Sequence, residues 1–586
     1  MVKTSTNQEN NLADLLKKAI ARVVKQVVGK TITVEEIHLE HPENEVFGDY
    51  SSNIGLQVKG PKELVKVIKK GLEKEKIDFI EKVEIINNFI NIWIKNEWLI
   101  SQVEEVLKNK NSYSYGKNKN LQGKKLMVEY AHPNTHKEFH IGHLRNICIG
   151  ESLSRILEAN GAKVIRTNYQ GDVGLHVAKA IYGVKLELQE SGRNLEEISK
   201  LSPSEKARFL GKAYSKGAQA YEKDEKAKIE VMKLNKQIYQ NDPKVKKLWQ
   251  TTRQWSLDYF AEIYQRLGTK YDRLYLESDV SDPGTKNAQS LLKKGILTKS
   301  KGAVVFSGDK YGIDTRVFLT REGLPTYEAK ELGLAPLEFS EFGQLDKCIH
   351  VVAPEQTSFF KVTFKVEELW DPKKYEGKQY HLRYGFVDLK EGKMSSRKGQ
   401  IIAGMDVVDQ AKDKIKKIMS KSELENVEAV AEKIAVGAVK YSLLKQSVGK
   451  NIQFDIEESV SLEGNSGPYL QYTYARAQSV LKKAKEKKVE ISPEKGQKVK
   501  LNAEELAILR WLYRFPEVVL QAGQENAPNV ICNFLYELAQ RFNTFYNQHK
   551  IIGSQNEARR LQLTAATAQV LENGLRLLGI KAPEKM

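Results

Sequence analysis

Glu129-Tyr-Ala-His132-Pro-Asn134-Thr-His136-Lys137-Glu-Phe-His140-Ile-Gly142-His143-Leu-Arg-Asn146 is the stretch around which the rest of the chain is organised. Before it, Leu126-Met127-Val128 reads as the end of a strand. After it, apolar residues at three-to-four spacing from Ile147 to Leu157 predict a helix. Four of the chain's ten histidines, His132, His136, His140 and His143, fall within it. A strand, a polar turn and a helix N-terminus form a natural anion site, because the first helical N–H groups have no intrahelical partner. Downstream, Lys163 to Gly174 is a second strand running into a glycine-bearing turn. Strand, helix and strand in about fifty residues predict a βαβ unit and a parallel sheet.

Three regions follow from the patterning. Residues 1–118 form an N-terminal α+β unit, with an amphipathic helix over Leu12–Val28 and strands at Ile32-Thr33-Val34 and over residues 85–94. Residues 119–404 form a Rossmann-type α/β catalytic domain with insertions near 176–258 and 281–325, the first heavily charged and helical. Its later strands are expected over residues 348–352 and 384–389. Residues 405–586 read as helices throughout, an all-α C-terminal domain.

Lysine plus arginine exceed aspartate plus glutamate by 93 to 75, a net charge of +18, which favours a polyanionic partner, nucleic acid before membrane. Apolar content of 41% allows real cores, and the mean hydropathy of −0.49 is that of a soluble chain. Cys148, Cys348 and Cys532 stand far apart with no CxxC pair, so no disulfide framework or structural zinc is expected and a reducing cytoplasm is. The N-terminus lacks the apolar run of a signal peptide, and no run approaches ~18 apolar residues, so no membrane contact is expected.

Two motifs carry chemistry. In His140-Ile141-Gly142-His143 the histidines are three apart and lie near each other on a helix, while Gly142 lets a ligand approach the backbone. Zinc is the competing reading, with His132 and His136 as further ligands. The second motif, Lys393-Met394-Ser395-Ser396-Arg397-Lys398-Gly399, combines three cations with two hydroxyls, a composition suited to clamping a triphosphate. Taken alone, it is equally an ordinary basic surface loop.

Together these motifs resemble the HIGH and KMSKS signatures of class I aminoacyl-tRNA synthetases, and within that class the chain resembles an arginyl-tRNA synthetase. Asn168-Tyr-Gln-Gly171-Asp172-Val-Gly174 is similar to that family's Asn-His-x-Gly-Asp-Trp-Gly turn. Gly464 to Arg476 is similar to its most distinctive C-terminal motif, and Gly48-Asp49-Tyr50 and Phe89-Ile90-Asn91 to its N-terminal domain. The likeness runs over essentially the whole chain. A cysteine-activating relative would need zinc-binding cysteines that are lacking here. A retired, tRNA-binding relative would not be expected to keep His140, His143 and Lys393.

The resemblance implies ATP-dependent activation of L-arginine to an arginyl-adenylate and transfer to tRNA(Arg), with ATP accompanied by Mg²⁺, activation needing tRNA, and a monomeric enzyme. It assigns His140, His143, Lys393, Ser395 and Ser396 to catalysis. Because Ser396 stands where KMSKS has its second lysine, Lys137 or Lys398 is expected to substitute. It assigns Gly142, Gly171, Asp172, Gly385, Val387 and Met394 to ATP, the strand at 384–388 offering backbone groups to adenine. Arginine falls to Glu129, Asn134, Tyr327, Glu331 and Gln356. Glu331 is one methylene longer than the family's usual aspartate, and the segment after Gln356 lacks the family's usual histidine. For tRNA it implies Asn88, Phe89 and Asn91 at the D-loop, and Tyr469, Tyr472, Arg476, Tyr546 and Met586 at the anticodon loop. Tyr469, Tyr472 and Arg476 share one helical face, which otherwise would be a packing stripe.

Overall fold

The computed structural model describes residues 12–29, 31–57, 63–75, 77–108, 113–390, 403–420, 424–489 and 500–586. The chain divides into two compact units. One is Leu121–Pro468 with Leu577–Ile580. Among the described residues its centre is a parallel sheet in the order Gln379–Arg383, Lys347–Val352, Lys125–Glu129, Lys163–Gln170, Arg273–Leu276. Met127, Val128, Ile349 and Val351 are essentially inaccessible, which is why these strands read as apolar runs rather than alternating ones. The chain winds outward from Lys125–Glu129 in one direction and returns beside it with Lys347–Val352. The C-terminal ends of those two strands therefore open on the crevice where such sheets bind ligands.

Of residues 384–389, expected to form one strand, only Val387–Leu389 is a strand. Gln379–Arg383 is the fifth strand of the central sheet, and Val387–Leu389 pairs with Ile452–Phe454 in a separate parallel ladder. That second partner lies over sixty residues away and interrupts the region expected to be wholly helical.

The first insertion is helical, Leu175–Ser191 through Pro243–Leu267, closed over Val177, Ile181, Val231, Leu234, Ile238 and Trp249. Ser202 caps one helix reciprocally with Glu205, the arrangement that satisfies the orphan N–H groups of a first turn. Gly183 and Gly217 sit where helices cross, and a Cβ on either would run into the carbonyl of Ala213 or Lys179. The second insertion carries an antiparallel sheet, Thr298–Ser300, Ala303–Phe306 and Arg316–Leu319.

The other unit contains residues 1–120, 469–576 and 581–586. The helix Leu12–Val28 forms as expected. Residues 85–94, however, are a hairpin of Ile80–Ile86 and Phe89–Ile94. Asn87 and Asn88 turn it with φ of 52° and 67°, the two left-handed residues that a tight hairpin requires. Ile32-Thr33-Val34 is not a strand: Glu36 Oε2 accepts from the Thr33 N–H (2.8 Å), and Ile37 N–H closes a turn onto Val34. Glu517 accepts hydrogen bonds from Tyr50 Oη (2.6 Å) and His41 Nε2 (3.0 Å), joining the N-terminal part to the C-terminal helices of the same unit. Among the described residues no helix is long and apolar enough to cross a membrane.

Candidate active site

The turn after strand Lys125–Glu129 is held in an unusual backbone. Ala131, His132 and His136 have φ of 86°, 50° and 62°, which L side chains adopt only when their surroundings over-determine them. Here they do. Ala131 N donates to Asn146 Oδ1 (2.7 Å), His132 N to Asn168 Oδ1 (3.1 Å) and His136 N to Ser256 Oγ (2.9 Å). Asn146 also donates to the Val351 carbonyl (2.7 Å), tying the turn to the neighbouring strand. The His136 ring lies between Thr135 and Thr252, and burial pushes it down to about 3. It is a neutral strut, not a ligand facing a crevice.

His140 caps the helix Ile141–Ala159. Its Nδ1 accepts from Gly142 N–H (3.1 Å), and His143 Nδ1 accepts from His140 N–H (3.2 Å). The rings stack at 3.7 Å. Burial lowers both imidazoles, Lys137 adding to it for His140, and His140, His132 and Lys137 for His143. Both are therefore neutral, and with Nδ1 accepting, the one proton each retains sits on Nε2. The pair presents two N–H donors without positive charge. A Cβ at position 142 would meet the His140 ring at 2.9 Å, so Gly142 is what allows this cap. Lys137 lies over the Tyr214 ring at 5.0 Å.

Of the other residues expected at ATP, Gly171 accepts from Thr135 N–H (2.7 Å), and a Cβ there would run into Asn134 Oδ1. Gly385 N–H donates to Val448 (3.0 Å), and a side chain there would strike Lys450. Val387 lies in the ladder with Ile452. Asp172 is placed differently from expectation. It is fully buried, with Oδ1 accepting from Ser278 N–H (2.8 Å) and Oδ2 from Ser278 Oγ (2.7 Å) and Arg253 Nη1 (2.9 Å). Enclosed in this way, it caps the helix Glu277–Lys293 as a strut. Lys393, Met394, Ser395, Ser396 and Lys398 lie outside the described residues. Arg145, which no sequence pattern singles out, is buried and donates to the carbonyls of Gly385 (2.6 Å), Phe386 (3.1 Å), Val448 (3.1 Å) and Lys450 (2.9 Å).

On the amino-acid side, Glu129 (2% exposed) and Glu331 (3%) are buried, while Tyr327 (58%) and Gln356 are exposed. Tyr327 and Glu331 stand one turn apart at the start of helix Tyr327–Glu341. Glu129 Oε2 and Glu331 Oε1 are buried without a conventional donor. Burial raises the Glu331 carboxyl, His350 opposes and Glu129 adds to it, with the outcome at about 7. Burial also pushes Glu129 up, but His350 and His132 outweigh it and hold the carboxyl below its usual range. Behind these stand Glu338 and Glu367, both pushed well above the usual range, first by burial. The buried hydroxyl of Tyr169 faces Glu277, Glu331, Glu129 and Asp172. This layer is rich in carboxylates and short of donors, the complement of a guanidinium. Sequence reasoning missed His350, Glu338, Glu367 and Tyr169, since nothing local in their patterning marks them. Among the described residues no group of three or more His, Cys, Asp or Glu side chains is arranged to hold a metal ion.

In the other unit, Arg476 lies between two rings, 4.8 Å from Tyr472 and 4.9 Å from Tyr546, each 37% exposed. Asn543, unmarked in sequence, accepts from Arg476 Nη1 (2.7 Å) and donates to Tyr469 Oη (3.0 Å) and Thr473 Oγ1 (2.9 Å). Asn88 is exposed at the hairpin turn, and Phe89 and Met586 are half-buried. Asn91, expected to face a partner, is buried in the central strand of its sheet, on the face opposite Ile90 and Ile92, and donates to the Phe89 carbonyl.

The family model described as tRNA synthetases class I (R), catalytic domain, matches residues 102–456. Models of the DALR anticodon binding domain and of the arginyl tRNA synthetase N terminal domain match residues 470–586 and 10–94. The chain is 33% identical over 588 residues to the arginine–tRNA ligase of Clostridioides difficile, covering 97% of this chain and 99% of that one. It is 32% identical over 578 residues to that of Clostridium perfringens, covering 97% and 100%. The structure of Thermus thermophilus arginyl-tRNA synthetase matches it with a TM-score of 0.80 at 25% identity, covering 98% of this chain and all of that one. With a family model over more than half its length and relatives above 30% identity across nearly all of it, the chain belongs to the arginyl-tRNA synthetase family of class I aminoacyl-tRNA synthetases.

Proposed function

We propose that the crevice activates L-arginine by bringing two sets of groups together across the C-terminal ends of the central strands, within an enzyme that is an arginine–tRNA ligase. On one side, the Nε2–H groups of His140 and His143 donate to the α-phosphate as charge builds on it. On the other, Glu129 and Glu331 hold the guanidinium, with Asn134, Tyr327 and Gln356 completing the pocket. The arginine carboxylate attacks the α-phosphorus, the bond to the β-phosphate oxygen breaks, and pyrophosphate leaves with its electron pair. No protein nucleophile is required, so positioning and charge stabilisation carry the rate. Preorganised donors of this kind act where charge builds in the transition state.

Class I synthetases use ATP, and here Mg²⁺ enters as part of the nucleotide substrate. Lys137 supplies the cation that the loop motif lacks, beside His140 and His143; Lys393, Met394, Ser395, Ser396 and Lys398 complete the phosphate contacts, and Gly142, Gly171, Gly385 and Val387 the nucleoside contacts. Asp172 acts from behind, by capping. The tRNA is taken up by the N-terminal residues 1–118, through Asn88 and Phe89, and by the C-terminal helices. There Tyr472, Arg476 and Tyr546 offer a cation between two aromatic faces, which suits unstacked bases; Tyr469 and Met586 flank it. The enzyme works as a cytoplasmic monomer, in keeping with three cysteines that form no CxxC pair.

The observation that carries the choice of amino acid is the pair of buried, donor-poor oxygens Glu129 Oε2 and Glu331 Oε1. Pyrophosphate exchange with each amino acid, with and without tRNA, tests it. Exchange is expected with arginine alone and only when tRNA is present; exchange with another amino acid, or none at all, overturns the reading.

Two further outcomes are expected. Arginine stays cationic, so it pairs with ionised Glu331, whose carboxyl titrates at about 7. KM for arginine should therefore fall as pH rises from about 6 to about 8, by at most about tenfold per unit below the midpoint, and then level off. The slope should vanish in Glu331→Gln, and a flat wild-type profile would refute the pairing. Tyr472→Ala should raise KM for tRNA in charging by about tenfold, one lost stacking contact, with KM for arginine and ATP unchanged. An equal loss on ATP would make Tyr472 a packing residue.

A further inference from the structure

The buried acidic layer behind the arginine pocket is organised by one histidine. His350 stands beside Glu129 in the parallel register of neighbouring strands. Its Nδ1 lies 2.8 Å from Glu129 Oε1 and its Nε2 2.9 Å from Gln379 Oε1. Gln379 uses its amide nitrogen elsewhere, donating to Glu367 Oε2 at 2.7 Å, so the atom it turns to His350 is an acceptor. Both ring nitrogens of His350 therefore face acceptors, and both must carry protons. The ring is fully buried, and such a charge persists only when paired. Glu129 pairs with it. The same imidazolium favours the ionised form of each of the four glutamates around it, Glu129, Glu331, Glu338 and Glu367. Burial pushes the Glu338 carboxyl well above its usual range, and neither of its oxygens nor Glu129 Oε2 has a hydrogen-bond partner among the described residues. A carboxylate has about four acceptor positions. With His350 taking one on Oε1 and Oε2 left without a donor, the remainder match the two parallel N–H groups of a guanidinium edge.

We propose that His350 is a positioning residue for arginine recognition: a buried imidazolium, braced by Gln379 and Glu367, that fixes the Glu129 carboxylate in the orientation that receives the guanidinium. The inference rests on the reading of Glu129 as an arginine-binding group. It makes the ion pair part of substrate selection, since without His350 the carboxylate would rotate or take up a proton from its acidic neighbours. Glu129 and His350 are brought together by sheet register alone, 221 positions apart in the chain.

The test is tRNA-dependent pyrophosphate exchange with the full-length enzyme. His350→Gln should raise KM for arginine by about tenfold, the loss of one hydrogen bond to a charged group, with KM for ATP unchanged and kcat within about threefold. Should that variant fail to fold, Gln379→Leu removes the outer acceptor at a half-buried position, and KM for arginine should rise several-fold with the same split. Glu129→Gln separates the two readings. If it raises KM for arginine while both other variants, folded, leave it unchanged, the positioning role is overturned and the pocket assignment stands. If Glu129→Gln itself leaves KM for arginine unchanged, the pocket assignment falls and this inference with it. Parallel losses in ATP binding and kcat would mark His350 as a core residue and equally overturn the proposal.

Discussion

Replacing His143 with alanine is expected to lower kcat for adenylate formation by about two to three orders of magnitude, the range measured when one donor to a developing oxyanion is removed. KM for arginine should stay within about threefold. His143 is neutral because burial, then His140, His132 and Lys137, disfavour its cation. Its proton lies on Nε2 because Nδ1 already accepts from the His140 N–H at 3.2 Å. Alanine removes both functions, so the N-terminal turn of the helix Ile141–Ala159 should also lose about 1 kcal/mol of capping. A thermal melt separates that modest loss from the kinetic one. A drop in kcat of under about tenfold would show that the histidines cap the helix and do little more.

Glu129→Gln is expected to raise KM for arginine by about a hundredfold or more, with KM for ATP unchanged. The substitution keeps shape and removes charge, leaving the buried guanidinium and the His350 imidazolium both without their shared anion. Removing one partner of a buried ion pair costs about 3–5 kcal/mol, because the other charge stays in a medium that solvates it poorly. The low position of the Glu129 carboxyl keeps it ionised at neutral pH, so this effect should persist across about pH 6–8, in contrast to that of Glu331→Gln. Steady-state exchange at varied arginine and fixed ATP is the measurement, and an effect that fades as pH rises would place the essential charge on Glu331 instead.

The parts of this site that could be read along the chain are those whose partners are close in sequence. The stacking of His140 on His143, the helix behind them and the need for a small residue at 142 all follow from spacing within one turn. The aromatic and cationic face of Tyr469, Tyr472 and Arg476 was legible for the same reason. The misplacements have a common cause. Residues 85–94 looked like one apolar strand because Asn87 and Asn88, which reverse it, carry no glycine to announce a turn. Asn91 looked like a contact residue, but its strand is the middle one of three, and neighbours on both sides bury it. The strand expected over 384–389 shrank to Val387–Leu389 and left the central sheet, because its partner, Ile452–Phe454, comes from far along the chain.

What the sequence alone determined was the family and, with it, the amino acid that family activates, since these rest on side-chain types at short spacing. What only the tertiary structure decided was the electrical state of the site. Which nitrogen of His140 and His143 carries the proton depends on backbone donors in the folded turn. That Asp172 is a strut depends on Ser278 and Arg253 arriving from other helices. That His350 is paired and Glu331 is poised near neutrality depends on burial and on carboxylates converging from separate strands and helices. Charge and protonation are set by everything within a few ångströms in space, and sequence order does not encode that neighbourhood.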